Sequence, residues 1–321
     1  MLSPMPEFLR RFDWRWHGKH HNASARRPRT VYIQPDGSHA DALQRRLREL
    51  DLPAGSIDAL AVGGADNALS DMLSIAPQIG DVLRNPIFRH VYYEGIDRPH
   101  LRTRPLPEGL ADNYVCHYTR QIREAYEAAP STPKEHTLLA AWGSYWRAND
   151  LLPSRKSALK WLDEMKRKRT PWVHHRDIPR DHYWREMSRY RFVLNPIGAC
   201  VQNVRVWEAL LVGTIPIGDA ASYADVALQA EGLPIVVVEQ WSDITEEALE
   251  RWWGALSPRL RLLRPLLTVD AIHARLISGE PIGHALAVAA NGTGSAEGGN
   301  AGHAGPKTAA AAAVAAAGRL A

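Results

Sequence analysis

Residues 190–217 read YRFVLNPIGACVQNVRVWEALLVGTIPI, and this stretch decides the fold. A short apolar run at residues 192–194 is followed by a Pro-Ile-Gly turn, by a helical pattern that ends at a glycine, and by a second apolar run at residues 215–217. This order predicts a buried strand, a tight turn, a helix and the next parallel strand. Such a turn presents backbone amides and the positive end of a helix to an anion, and Gly198 carries no side chain to obstruct the approach.

The same alternation of apolar runs and helical segments extends over most of the chain. Strands are predicted at residues 31–33, 57–62, 90–93, 137–142, 172–174, 192–194, 215–217 and 235–238. Because the segments between them are long enough for crossover helices, we predict an α/β fold of two Rossmann-like, doubly wound parallel sheets. The length of 321 residues also suits two ordinary domains.

Breaks in this pattern predict the domain boundaries. Residues 1–29 mix Trp, His and basic residues without a period, and residues 285–321 are rich in Ala and Gly. Both ends are therefore predicted as disordered extensions, the second of them a low-complexity tail. Two prolines and a glycine at residues 105–113 predict the crossing between an N-terminal domain over residues 30–107 and a C-terminal domain over residues 108–284.

The composition excludes several classes of protein. The 39 Lys and Arg exceed the 35 Asp and Glu by four, a modest surplus that suits anionic ligands without requiring nucleic acid. No apolar run is long enough to cross a bilayer, so no membrane span is predicted. The N-terminus lacks the hydrophobic core of a signal peptide, and the two cysteines, Cys116 and Cys200, make no disulfide framework. These features leave the compartment open, with the cytoplasm as the default expectation.

Several common cofactor and phosphate motifs are missing from the sequence. No Gly-x-Gly-x-x-Gly follows a strand and no Gly-Lys-Ser/Thr loop occurs, which argues against dinucleotide oxidoreductases and P-loop enzymes. No Asp-x-Asp pair is present either. We therefore predict no metal and no cofactor.

The helix after Gly198 carries an opposite-charge pair, Arg205 and Glu208, on the side away from its apolar face. One interpretation is a surface ion pair between residues three apart, worth a few tenths of a kcal/mol. The other is a ligand set, because a carboxylate accepts both hydroxyls of a ribose and a guanidinium binds two diphosphate oxygens. The residues alone leave both interpretations open.

Three runs in this region, F-V-L-N-P-x-G, R-x-W-E-A-L-L-x-G-x-I-P-I and G-L-P-I-V-V-V-x-x-W-S-D-I-T, resemble the carboxyl-terminal part of the exostosin-like glycosyltransferases. The resemblance is strongest over residues 190–244 and extends, with R-H-V-Y-Y-E-G and P-L-P-E-G-L upstream, over about residues 88–255. It implies a GT-B fold with an acceptor-side first domain and a nucleotide-sugar-binding second domain. It also implies an inverting, metal-independent transfer from a nucleoside-diphosphate sugar to a glycan or other hydroxyl acceptor.

The resemblance assigns donor-binding roles to five residues. Glu208 matches the acidic residue that receives the donor ribose hydroxyls, and Arg205 the basic residue three positions before it. Asn195 and Gly198 fall in the turn that lines the nucleotide, and Arg155 falls where a basic side chain meets the donor phosphates.

Four positions depart from the family pattern and suggest an altered nucleotide pocket: Ala199, Cys200, Gln202 and Val204. The alternative is therefore a non-catalytic nucleotide- or glycan-binding protein that retains the GT-B fold. Four polar residues near predicted strand ends of the first domain are candidates for the catalytic base: Asp36, His39, Glu94 and Asp97. A turn or helix-capping role explains each of them as well, so no base is assigned. Aromatic rings can stack on sugars or pack in the core, and Tyr145 with Trp146, just after a predicted strand, is the pair to test first for stacking.

Overall fold

A computed structural model of the chain describes residues 5–18, 20–64, 67–110, 112–142, 153–198 and 201–293. These residues form two sheets of mainly parallel strands with helices between the strands, which confirms the predicted α/β fold class. Each of the eight predicted strands is present, with ends displaced by at most two residues. No helix in this described part of the chain combines the length and the apolar character that spanning a bilayer requires.

The first sheet has six strands in the order β2-β1-β3-β4-β5-β6. Its strands are β1 (Trp14–His17), β2 (His20–Asn22), β3 (Thr30–Ile33), β4 (Ile57–Val62), β5 (Phe88–Tyr93) and β6 (Thr103–Pro105). All neighbours are parallel except β1 and β2. Its helices are α1 (Met5–Leu9), α2 (Gly37–Leu50), α3 (Leu69–Ile75) and α4 (Gln78–Arg84).

The N-terminal stretch differs from the prediction of a disordered extension over residues 1–29. Strand β1 pairs in parallel with β3, and the fully buried Trp14 donates from its indole nitrogen to the Ala25 carbonyl oxygen at 2.9 Å. Burying two indoles, those of Trp14 and Trp16, gives this segment an apolar gain that a solvated arm lacks. Apolar and polar side chains alternate in Trp-Arg-Trp-His at residues 14–17, a pattern that indicates a strand.

The second sheet has five parallel strands in the order β11-β10-β9-β7-β8. They are β7 (His136–Ala140), β8 (Val173–His175), β9 (Tyr190–Leu194), β10 (Ile215–Asp219) and β11 (Val236–Val238). The helices around them are α5 (Asp112–Ala128), α6 (Pro153–Arg167), α7 (Arg180–Met187), α8 (Val204–Leu211) and α9 (Tyr223–Ala230). Three helices follow: α10 (Glu246–Leu263), α11 (Val269–Ser278) and α12 (Ile282–Thr293).

The last helices return the chain to the first sheet. Helix α11 packs against β4 and β5, and the Tyr92 hydroxyl donates to the Leu276 carbonyl oxygen at 3.3 Å. Arg104, on β6, binds both carboxylate oxygens of Glu231, which follows α9. The predicted tail also begins inside α12, where Leu286 is buried, because the Ala-rich sequence there still places an apolar side chain against the core. Residues beyond 293 lie outside the described chain.

The carboxyl-terminal edges of the two sheets meet at Gln202, which precedes α8. Its side-chain amide donates to the carbonyl oxygen of Glu94, just after β5, at 3.1 Å, and to that of Leu106, just after β6, at 3.0 Å. The loop before α8 is thus bound directly to the first domain. This contact places the end of β9 at the junction of the domains, where parallel sheets hold their ligands.

Candidate functional site

The turn at residues 196–198 follows β9 and is held between the starts of two helices. The Ile197 amide donates to the Ser154 hydroxyl, in the first turn of α6, at 3.1 Å. The Asn203 side chain donates to the first carbonyl oxygen of the turn at 3.3 Å and also accepts from the Arg205 amide, capping α8. Two positive helix ends therefore lie beside this turn.

Gly198 lies directly against a guanidinium group. A Cβ added to this glycine would lie 3.3 Å from Nη2 of Arg155 and 3.3 Å from Nδ2 of Asn203. That spacing is tighter than ordinary van der Waals contact, so a side chain here would displace the groups that surround the turn. The structure thus brings together Arg155 and Gly198, which the sequence predicted as neighbours at a phosphate.

Arg155 and Arg205 are both buried, with 7 % and 8 % of each residue exposed. Among the residues that the structure describes, Nε and Nη1 of Arg155 and Nη1 of Arg205 have no hydrogen-bond partner. Nε of Arg205 donates to the Tyr183 hydroxyl at 3.1 Å. Burial, with the neighbouring charge of Arg205, lowers the pKa of Arg155.

Among the residues that the structure describes, no carboxylate lies within ion-pair distance of either Arg155 or Arg205. Buried polar groups in proteins normally have partners, and a buried cation without one is costly. A bound anion would remove that cost. We call Arg155, Arg205 and the turn at residues 196–198 the anion cradle.

Glu208 has a different environment from the one that the resemblance implies. Its side chain is 2 % exposed, and its Oε1 accepts from Nη2 of Arg180 at 2.7 Å. Burial raises the pKa of Glu208, and the charges of Arg180 and Arg205 oppose that rise. The carboxylate lies in the packed interior, so a ribose hydroxyl has no path to it in this arrangement. Its partner is Arg180 on α7, not the sequence neighbour Arg205.

Arg180 is fixed by aromatic rings as well as by Glu208. Its guanidinium carbon lies 3.6 Å from the ring centre of Tyr114, 4.7 Å from that of Tyr183 and 4.8 Å from that of Trp184. Cation–π contacts of this length favour a guanidinium that is partly removed from water. We call these three rings the aromatic cage.

Asn195 is buried at the end of β9 and links this strand to α9. Its Nδ2 donates to Oδ2 of Asp225 at 3.1 Å, while its Oδ1 has no hydrogen-bond partner among the described residues. Burial, reinforced by the nearby Asp219, raises the pKa of Asp225 to about 7. A Cβ at Gly218 would lie 2.1 Å from Oδ2 of Asp225, so the glycine after the Ile-Pro-Ile strand makes room for this carboxyl group.

Gln202, which the sequence marked only as a departure from the family pattern, links the two domains. Besides donating to the first domain, its Oε1 accepts from the Glu108 amide at 2.6 Å and from the Trp207 indole nitrogen at 2.8 Å. All four hydrogen bonds are made by the side chain of a residue that is 2 % exposed. The Gln202 amide therefore has a structural role in connecting the two domains, and its partners are identified only by the tertiary structure.

Two of the first-domain residues considered as a base have capping roles. Asp36 accepts from the Ser38 amide at 2.7 Å at the start of α2, and its pKa is lowered, chiefly by the Ser38 hydroxyl. Asp97 accepts from the Ser70 amide, in the first turn of α3, at 3.0 Å. His39, in the first turn of α2, contacts the Gly18 carbonyl oxygen through Nε2 at 3.1 Å.

Glu94 is the candidate base whose backbone contacts the loop before α8. It is buried, and its Oε2 accepts from the Gly64 amide at 2.5 Å. Other predicted features lie outside the described residues: the aromatic pair Tyr145 and Trp146, and the altered turn positions Ala199 and Cys200. Within the described ranges, no group of His, Cys, Asp and Glu is arranged to hold a metal ion.

No protein-family profile and no curated protein matches the sequence. Among the solved structures that match, three illustrate a weak likeness. WaaG, a glycosyltransferase involved in lipopolysaccharide biosynthesis, is 14 % identical over 83 % of this chain and 91 % of its own, with a TM-score of 0.28. The α,α-trehalose 6-phosphate synthase from Burkholderia multivorans is 11 % identical over 85 % of this chain and 73 % of its own, with a TM-score of 0.27.

The third structure is the pneumococcal O-GlcNAc transferase GtfA in complex with UDP and GlcNAc. It is 11 % identical over 83 % of this chain and 52 % of its own, with a TM-score of 0.25. At such identities and TM-scores, these likenesses decide neither the fold nor the activity of this chain. The exostosin-like resemblance therefore rests on the sequence motifs, chiefly those of residues 190–244.

Proposed function

We propose that this chain is a glycosyltransferase that binds the diphosphate of a nucleotide-sugar donor in the anion cradle and transfers the sugar to a glycan or other hydroxyl acceptor. The observation that carries the proposal is the pair of buried guanidinium groups, Arg155 and Arg205, with N–H groups that lack partners in the described part of the chain. A diphosphate supplies several acceptor oxygens, which two guanidinium groups and the amides of a tight backbone turn can bind.

The charges around the cradle support a ligand of more than one negative charge. Arg155, Arg180 and Arg205 carry three positive charges, and Glu208 forms an ion pair with one of them, Arg180. During glycosyl transfer, negative charge develops on the departing diphosphate, and preorganised donors in a site shielded from water stabilise it best. In this proposal Arg155 and Arg205 perform that stabilisation together with the two helix ends, without a metal ion, and the family resemblance implies inversion at the anomeric carbon.

A second candidate is a nucleotide- or glycan-binding protein without catalysis. The burial of Glu208 in an ion pair with Arg180 favours it, because the carboxylate expected to hold the ribose is engaged elsewhere. Donor hydrolysis and sugar transfer, measured with the purified chain, separate the two functions: turnover supports the transferase, and tight binding without turnover supports the binding protein.

The proposal is tested by thermal unfolding with a panel of nucleotide sugars and nucleoside diphosphates. A ligand at 100 times its Kd stabilises the folded protein by about 2.7 kcal/mol. We expect such a rise with at least one compound in the wild-type protein and in Arg120→Gln, whose residue is exposed on α5. We expect none in Arg205→Gln. Unchanged unfolding with every compound, or equal rises in both variants, contradicts the proposal.

A further inference from the structure

Two buried carboxyl groups, one on β10 and one on α9, are linked to the turn of the anion cradle. Asp225 accepts from the side chain of Asn195, which is the residue immediately before the turn. Asp219, the last residue of β10, accepts from the Ser154 hydroxyl, whose oxygen in turn accepts from the Ile197 amide within the turn. A single residue therefore separates each carboxyl group from the backbone that forms the cradle.

The contact between Asn195 and Asp225 lacks a donor when Asp225 is ionised. Nδ2 of Asn195 donates to Oδ2 of Asp225, but Oδ1 of each residue has no hydrogen-bond partner among the described residues, and both residues are only 1 % exposed. Both of these oxygens are acceptors, so neither can satisfy the other. A proton on Asp225 turns one of the two acceptors into an O–H donor, and the geometry of the pair therefore favours the neutral acid.

The surroundings of Asp225 favour the neutral acid as well. Burial and the charge of Asp219 raise the pKa of Asp225 to about 7, although two side-chain hydrogen bonds oppose the rise. Two further strands pack against α9: β11, which consists of three valines, and β6, whose Arg104 is bound to both oxygens of Glu231. In the part of the chain that the structure describes, no cation lies within ion-pair distance of Asp225.

The charge state of Asp225 changes the electrostatic potential at the cradle without any movement of the chain. The neutral acid leaves the positive charges of Arg155 and Arg205 undiminished, whereas the ionised form places a negative charge next to the turn that would hold the anion. Two unit charges about 10 Å apart, at an effective dielectric constant of about 20, change an affinity about tenfold. An anion should therefore bind more tightly while Asp225 is protonated.

We propose that Asp225 is a positioning residue of the anion cradle: as a neutral acid it holds Asn195 at the start of the turn, and its ionisation weakens anion binding. The inference rests on the proposed function, because it concerns the same cradle. The affinity for an anion should be highest below about pH 6 and should fall as the pH rises through about 7, where Asp225 loses its proton. The coupling is reciprocal, so a bound anion favours the protonated acid and its binding takes up protons near pH 7.

The test measures the affinity for sulfate by isothermal titration between about pH 5.5 and about pH 8.5, at constant ionic strength. Sulfate keeps both negative charges over this range, so a pH dependence of its binding comes from the protein. We expect the wild-type affinity to fall about tenfold from the acidic to the basic end. Asp225→Asn replaces the acid by a neutral amide that has both a donor and an acceptor, so its affinity should stay near the acidic wild-type value at every pH. Asp163→Asn, an exposed change on α6, should keep the wild-type profile.

Uridine diphosphate serves as a second probe. Its own titration cancels in the ratio of its affinities for Asp225→Asn and for the wild-type protein, and we expect this ratio to rise about tenfold over the same pH range. A third measurement needs no variant: the heat of anion binding to the wild-type protein near pH 7, in two buffers of different ionisation enthalpy, gives the protons taken up. A tenfold coupling corresponds to about half a proton per bound anion.

The outcomes separate this inference from the proposed function. Binding that does not depend on pH in the wild-type protein, a pH profile that persists in Asp225→Asn, or anion binding without proton uptake overturns the inference while the proposed function stands. If neither sulfate nor any nucleoside diphosphate binds the wild-type protein at any pH, the proposed function fails and the inference fails with it.

Discussion

Replacing Arg155 with methionine should stabilise the unliganded protein and abolish diphosphate binding. The guanidinium is 7 % exposed, with Nε and Nη1 unpaired and with Arg205 close enough to lower its pKa. Each unpaired buried polar group costs about 1–3 kcal/mol, and replacing buried charges with apolar side chains of similar volume stabilises by about 1–4 kcal/mol. Methionine is close in shape to the arginine stem and removes both the charge and the unpaired groups.

The assay is chemical unfolding of the wild-type protein and Arg155→Met without ligand, at fixed pH and salt. We expect the free energy of unfolding to increase by about 1–3 kcal/mol, the cost of leaving a buried polar group without a partner. Arg120→Met, an exposed substitution, should stay within about 0.5 kcal/mol of wild type. A loss of stability in Arg155→Met would refute the reasoning, because it would mean that the guanidinium already has partners that stabilise the fold.

Three further predictions concern stability. The pKa of Asp225 in the folded protein is about 7, above its ordinary 3.8. Between these values the folded state holds one more proton than the unfolded state, so the free energy of unfolding should fall as pH rises from about 4 to about 7. Asp225→Asn should remove this fall in unfolding curves recorded across that range. Burial lowers the pKa of Lys134 from 10.5 to about 7. Between these values the unfolded state holds more protons, so the free energy of unfolding should rise from about pH 7 to pH 10, by at most about 1.4 kcal/mol per pH unit. Lys134→Met should abolish the rise, and a flat wild-type profile would contradict the lowered pKa. Gln202→Leu removes four hydrogen bonds and leaves the carbonyl oxygens of Glu94 and Leu106 without this donor. We therefore expect the free energy of unfolding, measured in denaturant, to fall by about 2–4 kcal/mol. A fall below about 0.5 kcal/mol would show that these hydrogen bonds contribute little to stability.

Local sequence patterns predicted the elements that their own residues determine. The strand at residues 190–194, the following turn and the helix after it were found because apolar runs, Pro, Gly and helical spacing act over a few neighbouring residues. The proximity of Arg155 to Gly198 agrees with what the exostosin-like resemblance implies for these two positions.

Features that depend on distant parts of the chain were not predictable in the same way. The partner of Glu208 is Arg180, twenty-eight positions away on another helix, and no local spacing reports which of several arginines will reach a buried carboxylate. The four partners of Gln202 include groups from the other domain. The local alternation around Trp14 indicates a strand, but the partner that buries this strand, β3, is set by the tertiary structure.

The central claim is that two buried guanidinium groups bind the diphosphate of the donor. Isothermal titration of the wild-type protein and of Arg155→Met/Arg205→Met with nucleoside diphosphates tests it directly. Hydrogen bonds to charged groups are worth about 1.5–3 kcal/mol each, so the loss of two should weaken binding about 100-fold or more. Equal affinities of the two proteins would contradict the claim, and a saturable wild-type isotherm that disappears in the double variant is the result we predict.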